Sequence, residues 1–154
     1  TELKGSYAGA MGYGQFMPSS YIAYARDFDN DGVADIWTNV DDAIFSVANY
    51  FMEHGWRPER QILVAAVANK STHVEFEKSL KPARTVQHWV SKGLHPISAV
   101  FTEELAIPLK METEQGPEYW LGLHNFYVIT RYNHSAMYAL AAWQLSEAIG
   151  AELH

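Results

Sequence analysis

At 154 residues, 48% of them hydrophobic and 14% aromatic, the chain can bury one sizeable core and does not read as disordered. A net charge of −7 with no lysine or arginine block argues against nucleic acid or an anionic membrane surface as the main partner. The absence of cysteine excludes disulfides and cysteine-ligated metals, and no apolar run approaches the length of a membrane span.

The chain opens on a glycine-rich run, with Gly5, Gly9, Gly12 and Gly14 within ten residues. Helical periodicity is broken there, so the run reads as a loop or irregular turn. It is not a phosphate loop, because no Gly-Lys-Ser/Thr follows and no strand pattern precedes it. Pro18, Ser19 and Ser20 suit a helix start, and residues 21–26 continue that helix to an acidic segment.

That segment carries the clearest chemistry in the sequence. Asp27, Asp29 and Asp31 occupy alternate positions before Gly32, which is the D-x-D-x-D-G opening of an EF-hand-like loop. A hard cation such as Ca²⁺ takes six to eight oxygen ligands, and alternate side chains of a turning loop can converge on one. Unneutralised, carboxylates this close repel one another. The seventh position, Val33, would offer its carbonyl. The twelfth is Thr38 instead of glutamate, so closure falls to Asp42 or Asp41, or to Asp35 at the ninth position in a shorter, dockerin-like arrangement. A solvated acidic turn is the plain alternative, since Asp, Asn and Gly are ordinary turn residues.

Asp41 or Asp42 can cap the next helix, which runs to about His54 and stops at Gly55 in a left-handed conformation. Ile44, Val47, Ala48 and Phe51 fall on one face of it. Two helices flanking a carboxylate loop form an EF-hand-like layout. Beyond Trp56 the texture changes. Residues 61–67 read as a short buried strand, and residues 83–92 as a short helix ended by Gly93. Residues 105–112 and 118–121 read as a hairpin around Gln115, Gly116 and Pro117. A final helix over 135–149 has Ser135 as its N-cap and Tyr138, Ala142, Leu145 and Ile149 along one face. The seven histidines show no metal-ligand spacing, and no Gly-x-Ser-x-Gly elbow supports a serine hydrolase. The polar string Tyr132-Asn133-His134-Ser135 stands out just before the last helix, although helix capping alone would explain Asn or Ser there.

Residues 6–20, the acidic loop, residues 47–51 with His54-Gly55-Trp56, and residues 125–135 together resemble the membrane-bound lytic murein transglycosylase B family. The resemblance runs from residue 4 to about 149, with the blocks in the family's order. It implies an α+β, mainly α fold: a partial lysozyme-like catalytic core, an EF-hand-like calcium loop and a small β insert. The implied divisions are 1–56, a core segment with its loop at 27–42; 57–122, the insert; and 123–154, C-terminal core helices. The implied activity is cleavage of the β-1,4 bond between N-acetylmuramic acid and N-acetylglucosamine in peptidoglycan, leaving a 1,6-anhydromuramoyl end. One carboxyl group then serves as acid and base, unlike the two-carboxylate scheme of most glycosidases.

In the family that glutamate precedes the segment matching Ser6, so neither Glu2 nor Glu53 is given the role, and residues 1–154 alone are expected to be inactive. The chain reads as a mature or cut fragment of the family's catalytic region. What the resemblance assigns here is a supporting shell. Ser6 would orient the missing carboxyl, Gln15 would bond a sugar, and Tyr50, Asn133 and Tyr138 would line the same cleft, Asn133 reaching an N-acetyl group. All five are expected on one concave surface. The implied metal ligands are Asp27, Asp29, Asp31, Val33 and Asp42 or Asp41, holding a structural Ca²⁺. The implied partners are peptidoglycan strands and the N-terminal fragment of the same protein, in the periplasm, with an outer-membrane anchor an option for the full-length protein. Phe45 departs from the pattern, which usually has glycine there. A calcium-stabilised module that holds glycan without cutting it is the alternative reading.

Overall fold

Asn39 begins the longest helix of the first half by accepting hydrogen bonds from the backbone N–H groups of Asp41 and Asp42. It therefore fills the capping position expected of Asp41 or Asp42, leaving Asp42 free to turn inward. The computed structural model describes residue 6 and residues 9–70, 72–76 and 79–153. Gly5, Tyr7 and Ala8 of the glycine-rich run, and Glu2, lie outside the described residues.

The chain divides into two units, Thr1–Trp56 and Arg57–His154. In the first unit, Met11 and Phe16 exchange backbone hydrogen bonds at 2.8 and 2.9 Å across a tight reversal. Gly12 sits in that reversal with φ +64°, and a Cβ there would lie 2.4 Å from the Ile36 carbonyl oxygen. Gly12→Ala is expected to destabilise the fold by at least about 1–2 kcal/mol, the cost of a left-handed L-residue before the clash is added. Chemical denaturation checks it, and an unchanged midpoint would contradict this account of the turn.

Helix α1 covers Pro18–Tyr24, with proline at its first position as expected. It stops short of residue 26 because the next helix supplies tertiary partners for the chain there. Asn49 donates to the Tyr24 carbonyl at 3.0 Å, and the Arg26 N–H donates to the Ser46 hydroxyl at 2.8 Å. Helix α2, Val40–Glu53, ends at Gly55 with φ +87°. Its buried face is Asp42, Ala43, Ser46, Asn49 and Tyr50. The apolar set Ile44, Val47, Ala48 and Phe51 lies on the other side, with Ile44 58% exposed. Here hydrogen bonding to the preceding loop, not apolar periodicity, decides which face turns in.

The second unit is built on an antiparallel sheet ordered β2-β4-β5-β1-β3. Its strands are β1 Leu63–Ala68, β2 Arg84–Thr85, β3 Leu94–Pro96, β4 Leu105–Thr113 and β5 Gly116–Gly122. The expected strand and hairpin are both present, the strand shifted by about two residues and the hairpin turning at Glu114 and Gln115. Helix α3 is Val86–Ser91, shorter than the 83–92 expected, because Arg84 and Thr85 pair with Ala106 and Leu105 instead of coiling. Val64 pairs with Leu121 and Leu63 with Gly122, so alternate residues face opposite sides. On one side Val64, Ala66, Ala106 and Leu121 pack with Val86, Trp89, Leu94 and Leu123. Trp89 donates its indole N–H to the Ala106 carbonyl at 2.9 Å within this core.

On the other side Gly122 makes room for helix α4, His124–Tyr132: a Cβ at Gly122 would lie 2.7 Å from the Phe126 ring. Trp120 meets Trp143 of helix α5, Ala136–Glu152, edge to face at 5.6 Å. Sheet and C-terminal helices thus belong to one unit, although the sequence divides them at residue 122. Ser135 caps α5 as expected, but the buried positions of that helix are Ala139 and Leu140. The face of Tyr138, Leu145 and Ile149 is exposed, at 40%, 62% and 52%. No helix among the described residues is long and apolar enough to cross a membrane.

Candidate functional site

Residues 25–39 fold back on α2 because the buried Asp42 side chain gathers them. One of its oxygens accepts from the Phe28 N–H and the other from the Asp35 N–H, both at 2.8 Å, and the residue is fully buried. Asp27 accepts from the N–H groups of Asp31 and Gly32, and Asp29 from the Asp31 N–H and the Asn39 side-chain amide. Carboxylate oxygens of Asp27, Asp29 and Asp42 consequently lie within 4.8 Å of one another. Each carboxylate oxygen has lone pairs beyond those its N–H donors use. No lysine or arginine among the described residues forms an ion pair with them. Three hard oxygen donors without a protein counter-charge are the donor set that a divalent cation of the calcium type takes.

The other expected ligands are placed differently. Asp31 turns its carboxylate to the Val33 N–H at 2.8 Å and is not one of the three gathered carboxylates. Asp41 is exposed on the first turn of α2. Asp35 accepts from the Thr38 hydroxyl and from the N–H groups of Thr38 and Trp37. These bonds, the Thr38 hydroxyl first, hold its carboxyl below the usual carboxylate range. Its contribution to the turn is therefore complete above the ordinary carboxyl pKa and is lost as pH falls through the lowered value. Phe45 stacks flat on Phe28 of the same loop, with ring centroids 3.6 Å apart. The large side chain thus packs against the loop.

Gln15 is exposed and left-handed at φ +52°, uncommon for a residue other than glycine, asparagine or aspartate. Its amide nitrogen donates to the Gly12 carbonyl at 2.9 Å, which leaves its side-chain oxygen open to a ligand. Ser6 accepts from the Ala10 N–H at 3.0 Å, as a capping residue would, and keeps its own hydroxyl proton to donate. Tyr50 is 7% exposed, within an aromatic group made with Phe16, Tyr24 and His54. It stands behind the Gln15 turn, not on the open surface. In the second unit, Asn133 follows α4 with an exposed side chain, and Tyr138 lies on the first turn of α5, its N–H bonded to Ser135.

Sequence reasoning missed Asn39, whose amide bonds Asp29 at 2.9 Å while its oxygen caps α2. An asparagine just before Val-Asp-Asp is an N-cap signal and could have shown it. It also missed Asn125, fully buried at the start of α4. Asn125 accepts from the Arg57 N–H at 2.9 Å and donates to the carbonyls of Arg57 and Arg60 at 2.7 and 3.3 Å. No sequence pattern marks partners 68 positions apart. Asn125→Ala would leave these groups unpaired, so a loss of roughly 2–4 kcal/mol is expected in denaturant unfolding. A loss under about 0.5 kcal/mol would show that the 57–60 turn does not depend on it.

Residues 1–147 match the family described as the Transglycosylase SLT domain. The chain belongs to this lytic transglycosylase family. It is 47% identical over 147 residues to the membrane-bound lytic murein transglycosylase B of Escherichia coli K12, covering 96% of this chain and 40% of that one. Among solved structures, the catenated lytic transglycosylase SltB1 of Pseudomonas aeruginosa superposes with a TM-score of 0.92 at 43% identity, covering 97% of this chain and 50% of that chain. The E. coli lytic transglycosylase Slt35 in complex with calcium superposes with a TM-score of 0.88 at 46% identity, covering 97% and 47%. The chain therefore spans half or less of the length of these transglycosylases, and shares their mixed α and β, lysozyme-like fold.

Proposed function

We propose that this chain is the glycan-holding, calcium-stabilised portion of a peptidoglycan lytic transglycosylase. The complete enzyme would cleave the β-1,4 MurNAc–GlcNAc bond with formation of 1,6-anhydromuramic acid. The observation that carries the reading is the 47% identity to a lytic murein transglycosylase across 96% of the chain. The match spans 40% of the relative, and the acid/base glutamate is assigned, by the family resemblance, to sequence outside residues 1–154. The N-terminal part of the same protein is its natural partner. The relative is membrane-bound by name, so a periplasmic location with an anchor elsewhere in the protein is part of the proposal.

Within this reading the Ser6 hydroxyl proton is donated to the catalytic carboxylate, holding it in one orientation. The free oxygen of Gln15 accepts from a sugar hydroxyl, which accounts for a glutamine kept in a left-handed turn. Tyr50 supports that turn through Phe16, and the exposed Asn133 amide and Tyr138 ring contact glycan from the second unit. Asp27, Asp29 and Asp42 hold Ca²⁺ in an EF-hand-like loop, with Asp31 and the Val33 carbonyl joining after a local turn. The cation neutralises the carboxylates and fixes the loop, and takes no part in bond cleavage.

Titrating the chain with a GlcNAc–MurNAc disaccharide tests the glycan half of this. Gln15→Ala and Asn133→Ala are each expected to weaken binding about tenfold, the effect of one lost polar contact, with melting temperature unchanged. Binding unaltered in both variants would remove these residues from the site. Absence of any binding by the unmodified chain would count against the reading as a whole.

A further inference from the structure

Within the second unit, a cavity of about 650 Å³ opens between the 57–60 turn, the first turns of α4 and the 101–105 segment. Arg57, Arg60, Lys81, Phe101, Glu103 and Tyr127 are among the residues that line it. Three of the eleven lysines and arginines of a chain with net charge −7 thus collect at one cavity. Among the described residues, none of the three side chains forms an ion pair or hydrogen bond. Glu103 and Glu104 line the same cavity without pairing with them. Phe101, 70% exposed, and Tyr127 add an apolar surface beside the charges.

The walls are built, not incidental. Asn125 fixes the backbone that carries Arg57 and Arg60 with three hydrogen bonds, and Glu59 between them is left-handed at φ +60°. The 101–104 turn is tied to the start of α3, because the Val86 and Gln87 N–H groups donate to the Glu104 and Thr102 carbonyls at 2.9 Å. Two guanidinium groups on a fixed turn suit carboxylates, which they can engage bidentately. A sugar hydroxyl needs no such charge. The nearby Glu103 and Glu104 match an ammonium on the same ligand, and the aromatic surface matches its aliphatic carbons.

We propose that this cavity binds a short peptide through its free carboxylates, namely the peptide branch carried by a cell-wall glycan strand. The source of the peptide rests on the glycan reading above, whereas the carboxylate chemistry rests on the cavity alone. The test is an amide NMR titration of the calcium-loaded chain with an Ala-Glu-Lys peptide bearing free carboxylates and a free amine. Signals of Arg60, Phe101 and Tyr127 are expected to shift. Affinity is expected to fall about tenfold or more in Arg57→Gln/Arg60→Gln, and similarly for the peptide with all its carboxyls converted to carboxamides. Added salt is expected to weaken binding of the native peptide. Equal affinity for the carboxamide peptide, or none for either peptide, would overturn the proposal. The carboxamide comparison uses the unmodified protein, so it decides the matter whether or not the double variant folds. A GlcNAc–MurNAc disaccharide without peptide, its lactyl carboxyl capped as the methyl amide, is expected to leave these signals in place, and if it shifts them equally the cavity reads sugar and the proposal is overturned. If that disaccharide binds nowhere while the peptide binds here, the glycan reading fails and the peptide site stands.

Discussion

Asp42→Ala is expected to lower the stability of the chain by roughly 2–4 kcal/mol and to remove its response to calcium. The first effect follows from geometry. The Asp42 carboxylate is fully buried and is the acceptor for two backbone N–H groups, those of Phe28 and Asp35 at either end of the loop. Hydrogen bonds to a charged acceptor are worth about 1.5–3 kcal/mol each, and alanine leaves both donors unpaired. The second effect follows from mass action. A cation that binds only the folded form adds about 2.7 kcal/mol at a hundredfold excess over Kd. Melting curves with excess calcium and with excess chelator separate the two. The unmodified chain should melt higher with calcium, and the variant should melt low in both. Identical melting of the unmodified chain in calcium and in chelator would end the calcium proposal, while a drop on substitution would still report the hydrogen bonds. Asp31→Ala is the useful companion, because Asp31 bonds only the Val33 N–H of its own turn and should cost much less.

The same residue shows where the sequence was readable. The D-x-D-x-D-G string located the loop, and its helices begin and end close to where Pro18 and Gly55 signal them. Sequence reasoning also named the three carboxylates that meet, Asp27, Asp29 and, with Asp41 as its alternative, Asp42. Alternation added Asp31, which here accepts from the Val33 N–H and stands apart from the three, while Asp42 comes from a helix thirteen positions beyond Asp29. Periodicity misled for α2 in the same way. Ile44, Val47, Ala48 and Phe51 have the spacing of a core face, yet the buried side carries Asp42, Ser46 and Asn49. Those three satisfy backbone groups of residues 24–35, and unpaired buried donors cost more than a few exposed apolar carbons gain. In the second unit the hairpin was legible because alternation and the Gln-Gly-Pro turn lie close together in sequence. The bond from Asn125 to the 57–60 turn was not, because nothing local encodes a partner so far away. For the residues proposed to support glycan the sequence supplied candidates through family resemblance, and the structure adds surroundings: Gln15 left-handed and exposed, Tyr50 almost covered, Ser6 with its proton unspent.

Residues 1–154 alone are expected to release no muropeptides from peptidoglycan. In the proposed mechanism a single carboxyl first protonates the glycosidic oxygen and then accepts the proton of the muramoyl C6 hydroxyl as that oxygen closes on C1. The family resemblance assigns that carboxyl to sequence outside residues 1–154. Asp27, Asp29 and Asp42 are committed to the loop by backbone N–H groups, and Glu53 is exposed at the end of α2. General acid–base catalysis contributes about 10²–10⁴-fold for one group, and here the same group serves both half-reactions, so its absence should take turnover below detection. The supporting residues need no proton transfer to hold a sugar, so weak glycan binding should survive. Supplying the preceding part of the protein, in one chain or as a separate fragment, should restore cleavage with 1,6-anhydromuramoyl ends. Mass spectrometry of the digest decides the chemistry, because hydrolysis would give reducing ends heavier by one water. Ser6→Ala in the restored enzyme should lower kcat more than it raises KM, since its hydroxyl is assigned to the carboxylate and not to the sugar. Cleavage by residues 1–154 on their own would place the acid within this chain and overturn the division of labour.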